Sequence, residues 1–268
     1  STAGTGGFSN RNLSVGAYGN PTAEIIIAIF ALLFSLNFGL YFLLLQRRFK
    51  EALKSDEARF FLLLVAGSTA LITINIMPIY ENVWDSLRYA FFQVASIIST
   101  TGFATADFVL WPHFSQMILV ILMFCGACAG STGGGIKCSR VVMLLRSIRR
   151  ELHRIAHPRS VEVVRLDGKP VDESTLHSVL VFIGFYILII LTAALVVSLD
   201  NVPFDVSFSA ALTCVSNVGP GLATIGPSGN FAAFSPLSKV VLSLCMIIGR
   251  LEIFPILVLF SRHTWRRN

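Results

Sequence analysis

Five apolar runs, each about as long as a bilayer crossing, constrain this 268-residue chain more than any other feature. A hydrocarbon core of about 30 Å takes roughly 20 helical residues. The runs lie at residues 24–45, 60–79, 113–148 (interrupted by glycines), 178–199 and 236–261. With 54% hydrophobic and 13% charged residues, the chain departs from the soluble globular class. We expect an all-α integral membrane protein.

Glycine loops separate short apolar runs from long ones, and this pattern occurs twice in full. Residues 84–99 and 204–216 are apolar but, as helices, too short to cross a membrane with their loops attached. Each ends at a loop, Ser-Thr-Thr-Gly-Phe at 99–103 and Ser-Asn-Val-Gly-Pro-Gly at 216–221. A third loop, Ser-Thr-Ala-Gly-Thr-Gly-Gly-Phe at 1–8, opens the chain. A half-crossing helix returns through a loop only where that loop is buried in protein or lines water.

The repeated unit is a span, a half-helix, a glycine loop and a second span. It predicts a loop and second span of an incomplete repeat with a cytoplasmic link at 1–59, a complete repeat with a broken second span at 60–148, a cytoplasmic connector at 149–177 and a final complete repeat at 178–268. Gly7-Phe8 can be matched to Gly102-Phe103, or Gly4 to Gly102, and we prefer the former. Because the chain lacks an initiator Met and opens inside a loop, we expect truncation at its N-terminus.

Basic residues, which give the chain a net charge of +6, cluster at the ends of the spans. They concentrate at 47–59, 137–169 and 262–267, whereas the segments around the glycine loops carry acidic residues. The positive-inside rule then places the basic ends in the cytoplasm and the loops toward the outside. The connector carries a turn signal, Asp-Gly-Lys-Pro at 167–170. This distribution predicts contact with a lipid membrane and none with nucleic acid.

The three glycine loops are the candidate cation site. Backbone carbonyl oxygens can replace the hydration shell of a cation, and small residues let them turn inward. Helix C-termini directed at the site also favour positive charge, and the loops contain no Lys or Arg. The candidate ligands are Thr5, Gly6, Gly7, Thr100, Thr101, Gly102, Asn217, Val218 and Gly219. The alternative is that these glycines form ordinary turns between helices.

A further glycine-rich segment, residues 125–137, interrupts the 113–148 run. Glycine destabilises a helix by about 1 kcal/mol relative to alanine, and the loop backbone exposed by a break cannot face lipid. We predict a flexible barrier below the site, formed by Gly130, Gly133, Gly134 and Gly135 and ending at Lys137. The alternatives are a close-packed patch of small residues and, for the lysine, an interfacial snorkelling position.

Arg250 lies within the final apolar run, where a guanidinium is costly and marks a functional site. We expect it to face the permeation path or the glycine segment at 130–135, to hydrogen-bond loop carbonyls and to repel cations when the barrier is closed. The alternative is a structural anchor paired with a buried acid or with carbonyls.

Four motifs occur in order along the chain: Ser-Thr-Thr-Gly-Phe at 99–103, Gly-Ser-Thr-Gly-Gly-Gly-Ile-Lys at 130–137, Ser-Asn-Val-Gly-Pro-Gly at 216–221 and Gly-Arg-Leu-Glu-Ile-Phe-Pro at 249–255. Together they make a chain that resembles the TrkH/KtrB potassium-transporter superfamily over essentially its whole length, and the TrkH branch most. The resemblance implies pseudo-repeated membrane–pore-loop–membrane units of a K+ channel-like fold, four to a subunit. It also implies homodimers in the bacterial inner membrane and a TrkA-like cytosolic nucleotide-binding regulatory subunit.

On this resemblance the chain is the C-terminal part of a gated potassium uptake channel that catalyses no reaction. K+ is the transported ion, no covalent cofactor is expected, and the chain alone should not close a pore. A potassium symporter coupled to H+ or Na+ is the nearest alternative. An intramembrane serine protease is a remote one, because Ser228 lies in a Gly-x-Ser-Gly pattern. A serine nucleophile needs a nearby histidine, and His113 alone shares its predicted side.

Overall fold

The computed structural model describes residues 1–160 and 162–260, and its regular structure is almost entirely helical. The basic cluster at 262–267 and the end of the 236–261 run lie outside the described residues. The helices are α1 Pro21–Ser35, α2 Phe38–Leu45, α3 Phe49–Ala52, α4 Asp56–Ile76, α5 Val83–Ile98, α6 His113–Cys125, α7 Cys138–Ala156, α8 Glu173–Val197, α9 Phe204–Ser216, α10 Pro236–Arg250 and α11 Ile253–Phe260. Two short strands, β1 Arg165–Leu166 and β2 Lys169–Pro170, form a hairpin.

Helices α5 and α9 are the two predicted half-helices, and they form the centre of the core. The side chain of Asn82 begins α5 by accepting a hydrogen bond from the Trp84 amide at 3.1 Å. Helix α5 packs against α1, α4 and α6, while α9 packs against α6, α8 and α10. Nearly every residue in the second half of each helix is buried. The half-helices are therefore enclosed by the longer helices, as a re-entrant segment requires.

Two of the described helices are long and apolar enough to cross a membrane. They are α4, with 21 residues, and the helical segment Glu173–Asp200, with 28. Helices α1 and α2 qualify only as a pair, and they are bent by 90° at their junction. The expectation of one continuous span at 24–45 is therefore wrong. The side chain of Asn37 begins the new helix by accepting a hydrogen bond from the Gly39 amide at 2.7 Å.

The final apolar run is also broken within its described part, where a continuous span was expected. Helix α10 ends at Arg250, and α11 begins at Ile253. Between them, Glu252 has a left-handed backbone, with a φ of 60°. Its carboxylate pairs with Arg140 of α7 at 2.7 Å. This ion pair holds the break between α10 and α11 against the start of α7.

All three helices that follow a glycine loop are thus interrupted, and the interruptions meet. The largest is the central loop, residues 126–137, between α6 and α7. The amide of Cys128 donates to the carbonyl of Ser35 at 3.0 Å, and the amide of Phe38 donates to the carbonyl of Gly130 at 3.1 Å. The backbone groups freed by the break in one helix are therefore satisfied by the break in its neighbour.

The predicted connector contains the hairpin. Its strands pair Arg165 with Pro170 and Leu166 with Lys169, around the predicted Asp-Gly turn. Apolar residues on and beside the hairpin form one cluster with residues of α7 and α8. The cluster consists of Val164, Leu166 and Val171 from the hairpin region, Met143 from α7, and Leu176, Val179 and Ile183 from α8. The hairpin is therefore attached to two of the main helices.

Candidate cation site

The three glycine loops share one backbone conformation. A left-handed residue is followed two positions later by a left-handed glycine, in the pairs Thr5 and Gly7, Thr100 and Gly102, and Asn217 and Gly219. The φ values are 48°, 56° and 58° at the first position and 62°, 80° and 108° at the glycine. Left-handed backbone is disfavoured for residues with a Cβ. Its recurrence at the same phase shows that the loops are structurally equivalent and pairs Gly7 with Gly102.

A residue with a hydroxyl lies six positions before each of these glycines, and its backbone carbonyl accepts a hydrogen bond from an amide of the loop. The residues are Ser1, Ser96 and Thr213. Their carbonyls accept the amides of Gly6 at 3.0 Å, Thr101 at 2.9 Å and Val218 at 3.0 Å, respectively. Sequence reasoning missed these three residues. The signal was the recurring hydroxyl at a fixed distance from the glycine.

The hydroxyls of Ser96 and Thr213 also bond to the far side of their own loops. Ser96 Oγ donates to the carbonyl of Phe103 at 2.6 Å, and Thr213 Oγ1 donates to the carbonyl of Pro220 at 3.1 Å. Thr213 Oγ1 also accepts the amide of Gly219 at 2.9 Å. Ser96 and Thr213 are buried, so these bonds are shielded from water.

The loop amides and the loop carbonyls are used differently. Except for Gly7, the amides of the nine predicted ligands donate hydrogen bonds within the described protein. None of the nine carbonyls accepts one from the described residues. Buried carbonyls are normally paired, and Thr100 and Thr101 are 1% and 2% exposed. The loops therefore present a set of unpaired oxygen acceptors, the ligand type that a dehydrated cation takes.

The loops are arranged side by side in chain order. A Cβ at Gly7 would meet the carbonyl oxygen of Thr101, and a Cβ at Gly102 would meet that of Val218. Gly7 and Gly102 thus each lie against the residue that precedes the glycine of the next loop. Gly219 has no described atom within 4 Å at the corresponding position.

The central loop lies against these loops and contacts all three of them. Thr100 Oγ1 accepts the amide of Gly134 at 2.7 Å, and Thr5 Oγ1 donates to the carbonyl of Thr132 at 2.9 Å. A Cβ at Gly134 would collide with the carbonyl of Ser216, at the end of α9. Only glycine permits this close approach.

Two cationic side chains are directed at the central loop. Arg250 Nη1 donates to the carbonyl of Thr132 at 2.8 Å, and Lys137 Nζ donates to the carbonyl of Gly133. Lys137 turns back into the loop instead of extending away from it, and its left-handed φ of 81° lies at the loop's end. A cavity of about 270 Å³ lies among the loop, both cations and Tyr186. The structure thus brings together all the residues predicted for the barrier except Gly130, which lies nearer to Asn37.

Ser228 has no histidine partner among the described residues. Its hydroxyl donates to the carboxylate of Asp107 at 2.5 Å, which joins the segments that follow the second and third glycine loops. A carboxylate bonded directly to the serine does not supply the positioned imidazole of a serine nucleophile. This geometry gives the protease alternative no support.

Enclosed half-helices, returning glycine loops and broken spans define a multi-pass helical membrane protein built from repeated helix–loop–helix units. The chain belongs to the TrkH family, whose description is cation transport protein and whose model matches residues 1–266. The family predicted from the four motifs and the all-α membrane fold are therefore confirmed. The family is one of transport proteins, not of enzymes.

Individual relatives agree with this assignment. The chain is 37% identical over 271 residues to the Trk system potassium uptake protein TrkH of Salmonella typhimurium, covering 99% of this chain and 55% of that protein. It is 32% identical over 268 residues to the Trk system potassium uptake protein TrkG of Escherichia coli K12, with coverage of 99% and 55%. The crystal structure of the potassium transporter TrkH from Vibrio parahaemolyticus matches with a TM-score of 0.88 and 30% identity, covering 99% of this chain and 57% of that one. The chain spans about half the length of the curated relatives it matches.

Proposed function

We propose that the chain contributes three of the loops that bind K+ in a potassium uptake pore. The observation that carries this proposal is the asymmetry of the loops, whose amides are bonded to the protein while their carbonyls are unpaired. Rings of backbone carbonyls replace the hydration shell of K+ in selective pores. The relatives, which are named as potassium uptake proteins, support potassium as the ion.

The three loops are proposed to surround one axis together with a fourth. The repeated contact of Gly7 with the Thr101 carbonyl and of Gly102 with the Val218 carbonyl supports a ring, because each loop meets the next in the same way. The open position beside Gly219 is where a fourth loop would fit. With only three loops, the oxygens would not enclose a cation on all sides.

The central loop is proposed to be the gate. It is joined to the second glycine loop by the hydrogen bond between Thr100 and Gly134. Arg250 and Lys137 place two positive charges beside it. Positive side chains at a constriction oppose the passage of cations. Conduction therefore requires the loop to move away from the axis, which its glycines permit.

Location and partners are proposed from the distribution of charge and from family membership. The basic ends of the helices would face the cytoplasm of a bacterial cell, and the inner membrane would hold the protein as a homodimer. A TrkA-like nucleotide-binding subunit would contact the basic ends and drive the movement of the gate.

The direct test is rubidium uptake into proteoliposomes that hold the complete gene product, with K+ or Na+ as competitor. Uptake that K+ blocks and Na+ does not is the expected result. Equal competition by K+ and Na+ would indicate a general cation pathway without potassium selectivity. Saturable uptake that depends on a proton or sodium gradient would favour the coupled symporter, and an absence of uptake with and without a regulatory subunit would contradict the proposal.

A further inference from the structure

Glu57, in the first turn of α4, is buried and bonded to the central loop. One carboxylate oxygen, Oε1, accepts the amide of Ala129 at 2.6 Å and the amide of Ser139 at 2.9 Å. Glu57 is 6% exposed. Ala129 lies within the central loop, and Ser139 lies just after it. A single atom of α4 therefore joins the loop to the start of α7.

These bonds are not a local helix cap. Ser55 already provides the cap of α4 by accepting the amide of Ala58 at 3.4 Å. The Glu57 partners lie 72 and 82 residues away along the chain. An ionised carboxylate that accepts amide hydrogens forms stronger bonds than a neutral acceptor does, so Glu57 is suited to hold the loop.

Asp56, the preceding residue, is bonded to the hairpin. Its amide donates to Asp167 Oδ1 at 2.6 Å, and its own Oδ2 accepts the Asp167 amide at 2.9 Å. Arg146 Nη1 donates to the same Oδ2 at 2.8 Å and also to the carbonyl of Arg165 in the hairpin. The hairpin is therefore fastened to α4 through a reciprocal pair of hydrogen bonds.

Adjacent residues of one helix thus hold two different elements. Successive side chains of a helix project in different directions. The Asp56 side chain therefore contacts the hairpin, while the Glu57 side chain contacts the central loop. Because Asp56 and Glu57 are consecutive residues of α4 joined by one peptide unit, a displacement of Asp56 moves Glu57 with it. The hairpin lies on the side of the molecule predicted to be cytoplasmic.

We propose that Glu57 is a positioning residue that holds the central loop in its closed arrangement, and that the hairpin at 165–170 controls it through Asp56. The inference rests on the proposed role of the central loop as the gate. Movement of the hairpin, for example by a protein bound at the cytoplasmic side, tilts the first turn of α4 and releases the amides of Ala129 and Ser139. The gate is thereby connected to the cytoplasm without any contact between the partner and the pore.

Alkylation of native cysteines tests the link in the complete gene product. Cys128 adjoins Ala129 and is buried, so it reacts with N-ethylmaleimide only when the loop opens, and its rate reports the opening equilibrium. Cys214 and Cys245, buried in α9 and α10, are internal controls. Rates are read by mass spectrometry of the separate peptides, beside rubidium uptake by the same preparations.

Glu57→Ala should raise the rate at Cys128 about tenfold or more, because two hydrogen bonds to a charged group are lost. Glu57→Gln keeps Oε1 but loses the charge, so its rate at Cys128 should lie between those of wild type and Glu57→Ala. Glu51→Gln, in an exposed pair with Arg48, should have no effect. An unchanged rate at Cys128 in Glu57→Ala would overturn the inference. A rise at all three cysteines would also overturn it, because the substitution would then loosen the whole fold.

The hairpin is tested by Asp167→Ala, with Asp167→Asn as the variant that keeps an acceptor oxygen. Asp167→Ala should raise the rate at Cys128 by about threefold, the effect of one weaker hydrogen bond, and should add nothing in the Glu57→Ala background. Additive effects, or none from Asp167→Ala, would overturn the connection to the hairpin. This exposed substitution also decides the inference if Glu57→Ala fails to fold.

Uptake separates this inference from the proposed function. A faster reaction at Cys128 with unchanged rubidium uptake supports the role of Glu57 and contradicts the central loop as the gate. A wild-type protein without uptake contradicts the proposed function, while the cysteine rates still decide whether Glu57 holds the loop.

Discussion

The hydroxyl of Thr100 accepts a hydrogen bond from the amide of Gly134, with 2.7 Å between the two heavy atoms. Thr100 belongs to the second glycine loop and Gly134 to the central loop, so the proposed ion site and the proposed gate are in direct contact. Thr5 makes a second contact of this kind through the carbonyl of Thr132. A change in the central loop therefore alters the surroundings of the ion-binding carbonyls without an intermediate element.

Replacement of Gly102 by alanine should abolish most transport. The residue has a φ of 80°, and a Cβ would collide with the carbonyl of Val218. The left-handed backbone alone costs roughly 1–2 kcal/mol with a Cβ, and the collision displaces a proposed ligand. We expect rubidium uptake below about a tenth of wild type. Gly184→Ala on α8, where no atom lies within 4 Å, is the matched control, and equal losses in both variants would show that the collision is not the cause.

Replacement of Thr213 by valine should reduce selectivity more than stability. Valine keeps the shape of the side chain but loses the bonds to Pro220 and Gly219, which contribute about 1 kcal/mol each. We expect sodium to compete with rubidium several-fold better than in wild type. Thr213→Ser should restore the wild-type ratio. Thr192→Val removes a hydroxyl that donates to the Leu188 carbonyl of its own helix. A similar loss of selectivity in that variant would count against the argument.

Replacement of Arg250 by alanine should increase uptake in the absence of a regulatory subunit. Arg250 Nη1 donates a hydrogen bond to the carbonyl of Thr132 at 2.8 Å. Hydrogen bonds to charged groups contribute about 1.5–3 kcal/mol. We expect basal uptake to rise about tenfold or more. Arg250→Lys keeps the charge but not the planar guanidinium, so it separates repulsion from hydrogen bonding. Wild-type uptake and wild-type regulation in Arg250→Ala would show that the residue is only an anchor.

Replacement of Arg88 by alanine should destabilise the fold strongly. Arg88 on α5 pairs with Glu24 on α1 at 2.7 Å, and the two side chains are 10% and 4% exposed. Removal of one member of a buried pair leaves the other charge uncompensated, at a cost of about 3–5 kcal/mol. The matched control is Arg48→Ala, whose pair with Glu51 is 52% exposed on both sides and should contribute at most about 1 kcal/mol. Thermal unfolding in detergent measures the stability of both variants. Equal shifts in Tm for Arg88→Ala and Arg48→Ala would contradict the larger contribution of the buried pair.

The half-helices and loops were predictable because their signals are local. Helix α9 has the predicted bounds, and α5 differs from its prediction by one residue at each end. An apolar run that begins at a cap and stops at a glycine defines such a helix without tertiary information.

The breaks in the other helices were not predictable in this way. The bend before Asn37 occurs in an apolar run, and it is fixed by contacts with Gly130 and Cys128, almost a hundred residues later. The break at Glu252 places its carboxylate against Arg140, which lies 112 residues earlier in the chain. Glu57 was missed for a similar reason, since an acidic residue in the first turn of a helix is an ordinary helix-start signal. Only the fold shows that its carboxylate is buried against the central loop.

The most direct test of the central claim is the position of a bound ion. Crystals of the complete gene product, soaked in rubidium, should show anomalous scattering peaks in contact with the carbonyl oxygens of Thr101 and Val218. Gly102→Ala crystals should lose those peaks. Rubidium peaks elsewhere on the conduction path, with none at these carbonyls in the wild-type protein, would contradict the claim that the glycine loops are the ion-binding site.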